Sequence, residues 1–144
     1  MNHDPAAEPI SRSGLSEIDL QHRQIAAMIE TLIEFAQRWA LHNGDSQKAW
    51  EGFHSALSNL FVCYVEHFQF EENLLQSCRY PNLTDHRFDH TRILSSVAQC
   101  THAMIVGMKV DLLLTAQGLA ASFQQHELDA DFAYMGFLNQ PVAT

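Results

Sequence analysis

The stretch His67-Phe68-Gln69-Phe70-Glu71-Glu72 places two phenylalanines, which belong in a core, beside a histidine and two glutamates, which ordinarily do not. Its surroundings decide the reading. Apolar residues recur at steps of three and four through Phe53, Leu57, Leu60 and Tyr64. The same seam continues through His67 and Glu71 to Leu74 and Cys78. That period belongs to an amphipathic helix. His67 and Glu71 therefore take inward positions one turn apart. Glu72, rotated by roughly 100° from Glu71, is expected to be solvated or paired.

Working outward, few breakers interrupt the chain. Pro5 and Pro9 precede the first periodic stretch, and Asn43-Gly44-Asp45, Pro81-Asn82 and the segment Gly107 to Asp111 divide the rest. Helices are expected near 16–42, 46–79, 83–108 and 111–129. Gly44 suits a position just past a helix end, and Asp45 or Ser46 suits the next N-cap. Short connections make successive helices antiparallel. The expected fold is all-α: an up-down-up-down four-helix bundle with a di-metal site in its core near one end. Residues 1–13 are expected to form a flexible arm, 14–138 the bundle, and 139–144 a tail or a linker.

Composition narrows the function. A chain of 144 residues fits one domain. A net charge of -9 with only 8 lysines and arginines, and no basic run, speaks against nucleic acid and anionic membrane surfaces as partners. The apolar runs are too short to span a bilayer, and the first residues lack the apolar segment of a secretory signal. Cys63, Cys78 and Cys100 form an odd set without CxxC spacing, which points to a reducing compartment and a cytoplasmic location. The nine histidines outnumber lysine and arginine together, which directs attention to metal.

Each seam carries one. The first runs Ile18, His22, Ile25, Ile29, Leu32, Ala36, Trp39, and the third Leu83, His86, His90, Ile93, Val97, Cys100, Met104. The fourth runs Leu112, Ala116, Leu119, Phe123, His126. His22 lies near the start of its helix, His67 and Glu71 near the end of theirs, His86 and His90 at a start, and His126 near an end. In an antiparallel bundle these places share one level. A buried carboxylate without a partner costs several kcal/mol or is neutralised, and a divalent metal removes that problem.

His67 with Glu71, and His86 with His90, are i, i+4 pairs that can each grip an ion. His22 and His126 add one imidazole each. Asp131, five residues past His126, lies off a regular seam, and a turn or break there is expected to swing it inward. Five imidazoles and two carboxylates are too many for one tetrahedral zinc. They suit two six-coordinate-type ions with bridging carboxylates. So much imidazole argues against calcium and magnesium, whereas affinity alone leaves zinc and copper open.

The run Ile18-Asp19-Leu20-Gln21-His22, then His67-Phe68 with Glu71-Glu72, Tyr80-Pro81, His86-x3-His90, and His126-x4-Asp131 with Tyr134 resembles hemerythrin, in particular the bacterial hemerythrin-like proteins. The resemblance covers about residues 14 to 137. It implies a non-haem, oxo- or hydroxo-bridged di-iron centre. His86, His90 and His126 would hold one iron, His22 and His67 the other, and Glu71 and Asp131 would bridge. It also implies reversible O2 binding at the one open iron position, with Ile25, Phe68 and Phe123 lining the pocket and Tyr134 behind Asp131. The chain departs from the bacterial pattern in lacking an early tryptophan, in having Ser122-Phe123 where a Trp-Leu pair is usual, and in carrying Glu127 after His126. Ser122 is expected to leave more room at the site and to speed autoxidation. The glutamate-x-x-histidine pairs of carboxylate-rich di-iron bundles are absent from the seams.

Four roles fit such a centre: oxygen storage or delivery, an oxygen- or redox-sensing input domain of a signalling protein, peroxide or NO reduction, and iron handling. The first two are preferred, so no enzymatic activity is assigned. His3, His42, His54 and His102 fall off the ligand level and read as surface or helix-end residues.

Overall fold

The computed structural model describes residues 8–138. Among them the elements are α1 (Glu8–Leu41), α2 (Gln47–Ser77), α3 (Leu83–Ile105), α4 (Leu112–His126), a π-helical turn (Glu127–Asp131) and α5 (Phe132–Leu138). No strand occurs among the described residues. Helix α1 packs on α2 and α4, and α3 packs on α2 and α4, the square arrangement of an antiparallel four-helix bundle. None of these helices is long and apolar enough to cross a membrane.

Local chemistry sets the ends. Helix α1 starts at Glu8, earlier than the expected 16, so residues 8–13 are helical. Pro9 does not prevent this, because proline is tolerated in a first turn where its missing N–H has no partner to lose. Asn43 and Gly44 take positive φ of 54° and 73° after α1. Ser46 then caps α2, its Oγ accepting from Ala49 N at 3.2 Å. Asp111 caps α4 in the same way through Leu114 N at 3.1 Å. The fourth expected helix does not continue to 129. It gives way at His126 to the π turn, and α5 follows.

The seams pack as their spacing predicts, with one shift. Beyond Glu71 the inward residue of α2 is Leu75, fully buried, while Leu74 is half-buried. The apolar interior has two parts. The larger includes Ile25, Leu32, Phe53, Leu57, Tyr64, Phe68, Val97, Leu112 and Phe123. The smaller, Ile18, Leu75, Tyr80 and Tyr134, is flanked by Phe70, Leu83 and Phe137. His67, Glu71, His86, His90, His126 and Asp131 are buried as well. A surface concavity of about 800 Å³ lies at the opposite end between Trp39, Trp50 and the Gly107–Asp111 connection, and no residue of the histidine layer lines it.

Two helical glycines should respond oppositely to substitution. A Cβ on Gly52 would fall 2.3 Å from Phe35 Cε1, whereas one on Gly118 would meet nothing within 4 Å. Gly52→Leu should therefore destabilise the protein by about 1–3 kcal/mol through overpacking. Gly118→Ala should stabilise it by up to about 1 kcal/mol through helix propensity. Urea unfolding of both variants checks the pair, and a Gly52→Leu variant as stable as the parent would contradict the close α1–α2 approach.

Candidate metal centre

Each of the four bundle helices delivers a ligand-type side chain to one layer. The i, i+4 spacing of α2 puts His67 Nε2 3.3 Å from Glu71 Oε2. On α3 the same spacing brings the His86 and His90 rings to 4.4 Å between centroids. His22 of α1 reaches in so that its Nε2 is 3.2 Å from Asp131 Oδ2. Asp131 gets there through the π turn. In an ordinary α-helix two residues five apart point roughly 140° away from each other. The i→i+5 repeat of a π turn returns them to one face, and His126 Nε2 lies 3.0 Å from Asp131 Oδ1.

The two carboxylates are shared. Glu71 Oε1 faces His86 Nε2 in a very short contact and His90 Nε2 at 3.0 Å. Its Oε2 faces His67 at 3.3 Å and His22 at 3.8 Å. Asp131 Oδ1 faces His126 at 3.0 Å and His86 at 3.3 Å, while its Oδ2 faces His22. Two donor groups result. One is Glu71, His86, His90, His126 and Asp131; the other is His22, His67, Glu71 and Asp131, with the donor atoms of each within 4.8 Å of one another. All seven sequence-predicted ligand residues are thus brought together.

This donor set fits metal cations. Of the seven buried side-chain polar atoms without a hydrogen-bond partner among the described residues, five lie here: His22 Nε2, His67 Nε2, His126 Nε2 and both carboxylate oxygens of Asp131. Buried polar groups are normally paired. Atoms that converge on one point and do not bond each other are what a coordinated ion requires.

Around the layer stand polar partners of the imidazoles, a role that sequence reasoning did not assign to Gln21, Glu72 or Asp89. Gln21 Oε1 lies 2.6 Å from His67 Nδ1. Glu72 Oε2 lies 2.9 Å from His90 Nδ1, and an Asp89 carboxylate oxygen makes a very short contact with His126 Nδ1. Glu72 is thus paired, with His90 and also with Arg87 at 3.1 Å. The Tyr134 hydroxyl donates to Glu71 Oε2 at 3.1 Å, which places it behind Glu71 rather than Asp131. Ile25, Phe68 and Phe123 are buried beside the layer. Phe68 stacks on His90 at 3.9 Å, and Phe123 meets His22 edge-on at 5.8 Å. Ser122 is half-buried. Glu127 Oε2 comes within 3.9 Å of His22 Nδ1. His42 and His102 are exposed and His54 is half-buried, all outside the donor groups. His3 lies outside the described residues.

Without metal, protons take the cations' place. Burial opposes a charged ring at His22, His86 and His126, but the facing Asp131 and Glu71 carboxylates outweigh it. They push His22 and His86 up to about 9 and His126 up to about 10. Burial likewise opposes charge on Glu71 and Asp131, yet the surrounding histidines hold Glu71 below the usual carboxylate range and bring Asp131 down to about 2.

The linkage has a definite sign. The raised histidines stabilise the fold fully below their ordinary 6.5 and lose that contribution as pH rises through about 9 to 10. Asp131 contributes above its ordinary 3.8 and loses its contribution as pH falls through about 2. The chelator-stripped protein should therefore be most stable between about pH 4 and 6.5 and should melt progressively lower towards pH 10. A bound divalent ion needs neutral imidazoles, so the gain in Tm on adding metal should be larger at pH 9 than at pH 5. Thermal melts of stripped and loaded protein across this range check both statements. A stripped protein with a flat Tm from pH 6 to 10 would contradict them.

No curated protein and no solved structure gives a significant match to the chain. A family model does: the hemerythrin HHE cation binding domain matches residues 13–138. Its span takes in every helix of the bundle and both donor groups, and on that match, with the geometry in accord, the chain belongs to the hemerythrin HHE cation-binding family.

Proposed function

We propose that the domain holds two iron ions and binds O2 reversibly at one of them, for storage, delivery or sensing. The observation that carries this reading is the sharing of Glu71 and Asp131. Each turns one oxygen toward the His86, His90 and His126 side and the other toward the His22 and His67 side. On this reading His86, His90 and His126 hold one ion, His22 and His67 the other, and the two carboxylates bridge. A mixed imidazole and carboxylate set suits iron, and the resemblance to hemerythrin selects it over zinc and copper. When bound, two irons would supply two electrons to O2, and the ion held by His22 and His67, with fewer protein donors, would be the one left able to take it.

The chain's own residues do the rest. Ile25, Phe68 and Phe123 are apolar and buried, so they keep bulk water from the layer. Phe123 meets His22 at 5.8 Å between ring centroids, on the side with fewer donors, whereas Phe68 lies against both sides, 3.9 Å from His90 and 5.6 Å from His67. Tyr134 holds Glu71 in orientation. Burial and the neighbouring Glu71 and Asp131 carboxylates raise its pKa well above the ordinary tyrosine value, so it remains a donor. The proposed setting is the cytoplasm, where the unpaired thiols of Cys63, Cys78 and Cys100 stay reduced.

The decisive experiment is optical. The protein is reduced anaerobically, exposed to O2, then returned to vacuum, with iron counted on the same sample. Two irons per chain and a charge-transfer band that comes and goes with O2 are expected. One-way oxidation, with steady turnover when an electron donor is supplied, would replace binding by peroxide or NO reduction. Absence of iron uptake would sink the reading. Ser122→Trp, which puts the tryptophan of the bacterial pattern at half-buried Ser122, next to Phe123, should slow irreversible oxidation in air several-fold, followed as loss of the same band. An unchanged rate would show that Ser122 does not govern access.

A further inference from the structure

The imidazoles that face the centre differ in what stands behind them. His67, His90 and His126 all turn Nε2 inward. Nδ1 of each therefore carries the proton and donates outward, which fixes the tautomer. Behind His67 is the amide oxygen of Gln21, a neutral dipole. Behind His90 and His126 are the carboxylates of Glu72 and Asp89, full negative charges. His22 has neither, because Glu127 stays 3.9 Å from its Nδ1 on a side chain that is 39% exposed.

A hydrogen bond to a carboxylate is roughly twice as strong as one to a neutral acceptor. It also makes the inward nitrogen a better electron donor. Each of these carboxylates has a second partner: Glu72 binds Arg87 and Asp89 binds Arg92. The arginines do not cancel the effect. Their side chains are 46% and 64% exposed, whereas those of His90 and His126 are 2% and 0% exposed. Water screens the guanidinium charges, and the imidazoles meet the carboxylates directly. The arginines chiefly orient them.

We infer that the two ion positions are unequal: the position at His86, His90 and His126 binds a divalent ion more tightly than that at His22 and His67, and Asp89 and Glu72 are positioning residues that help set the difference. This rests on the proposed two-ion reading of the same layer. Three imidazoles against two already favour that order, so the outer residues must be varied to show their own share.

The test is a Co(II) titration of the chelator-stripped full chain against a chromophoric competitor, with metal-free melts of every variant. Wild type should bind two Co(II) in two affinity classes. Asp89→Asn and Glu72→Gln keep an acceptor for Nδ1 but remove the charge. Each should weaken the tighter class about 10- to 100-fold and spare the weaker one. The reverse change is Gln21→Glu. It is made together with Glu17→Gln, because Gln21 Nε2 donates to Glu17 Oε1 at 3.0 Å and two carboxylates there would repel. That double variant should tighten the weaker class and leave the tighter one. A merely structural role for Asp89 and Glu72 would instead lower the metal-free Tm and weaken both classes equally, which overturns the inference. One undivided affinity class in wild type also overturns it while leaving two-ion binding intact. Wild type that takes up no Co(II) overturns the two-ion reading itself, and the inference with it.

Discussion

Glu71 and Asp131 are carboxylates with no water to solvate them, and the rest of the structure answers that constraint. A buried, unpaired carboxylate costs more than the net contribution of many good core contacts. Five imidazoles from four helices surround the pair, and no contact among them satisfies every atom. The same constraint explains the antiparallel topology, since only that order puts two helix starts and two helix ends at one level. It also explains why apolar clusters line the layer, with Phe68 and Phe123 beside the histidines and Tyr80 and Tyr134 near His86.

The least regular backbone lies where the constraint is tightest. A continuous α-helix through His126 could not also present Asp131 to the layer, because the five-residue interval misses the face. The π turn Glu127–Asp131 corrects that interval without inserting a loop, and α5 resumes at once to deliver Tyr134 to Glu71. Helices give up regular i→i−4 bonding mostly where a side chain must be aimed. Here the aimed group is the second of the two shared carboxylates, and without it the two donor groups would share only Glu71.

Much of this was legible in the sequence because the relevant signals are periodic. The seam positions of His22, His67, Glu71, His86, His90 and His126 follow from steps of three and four. Their common level follows from where they fall along each helix. The need for a break after His126 was readable as well, although its form was not: propensity does not announce a π turn. The early start of α1 was hidden by Pro9, and the shift from Leu74 to Leu75 by the end of α2, where the chain turns toward Tyr80 and the seam ends. The identity of the partners behind the histidines was illegible by seam analysis, which sorts residues into inward and outward but does not say what an outward polar residue meets. Glu72 was legible as solvated or paired, but not as the partner of His90.

A rule connects those partners. Gln21 neighbours His22 in sequence but serves His67 on the next helix; Asp89 neighbours His90 and serves His126; Glu72 neighbours Glu71 and serves His90. One residue along a helix is a rotation of roughly 100°, which carries a side chain from the bundle axis to the seam shared with an adjacent helix. A polar residue beside an inward donor is therefore placed to reach the outer nitrogen of a histidine on the neighbouring helix. The two layers of the site are coupled by helix geometry itself, so each adjacent pair locks its own helix and its neighbour at one level. A helix that slid by one turn would lose its inward donor and the outward bond it makes to the next helix together. The position of the layer is thereby fixed by paired hydrogen bonds between helices as well as by the buried carboxylates at its centre.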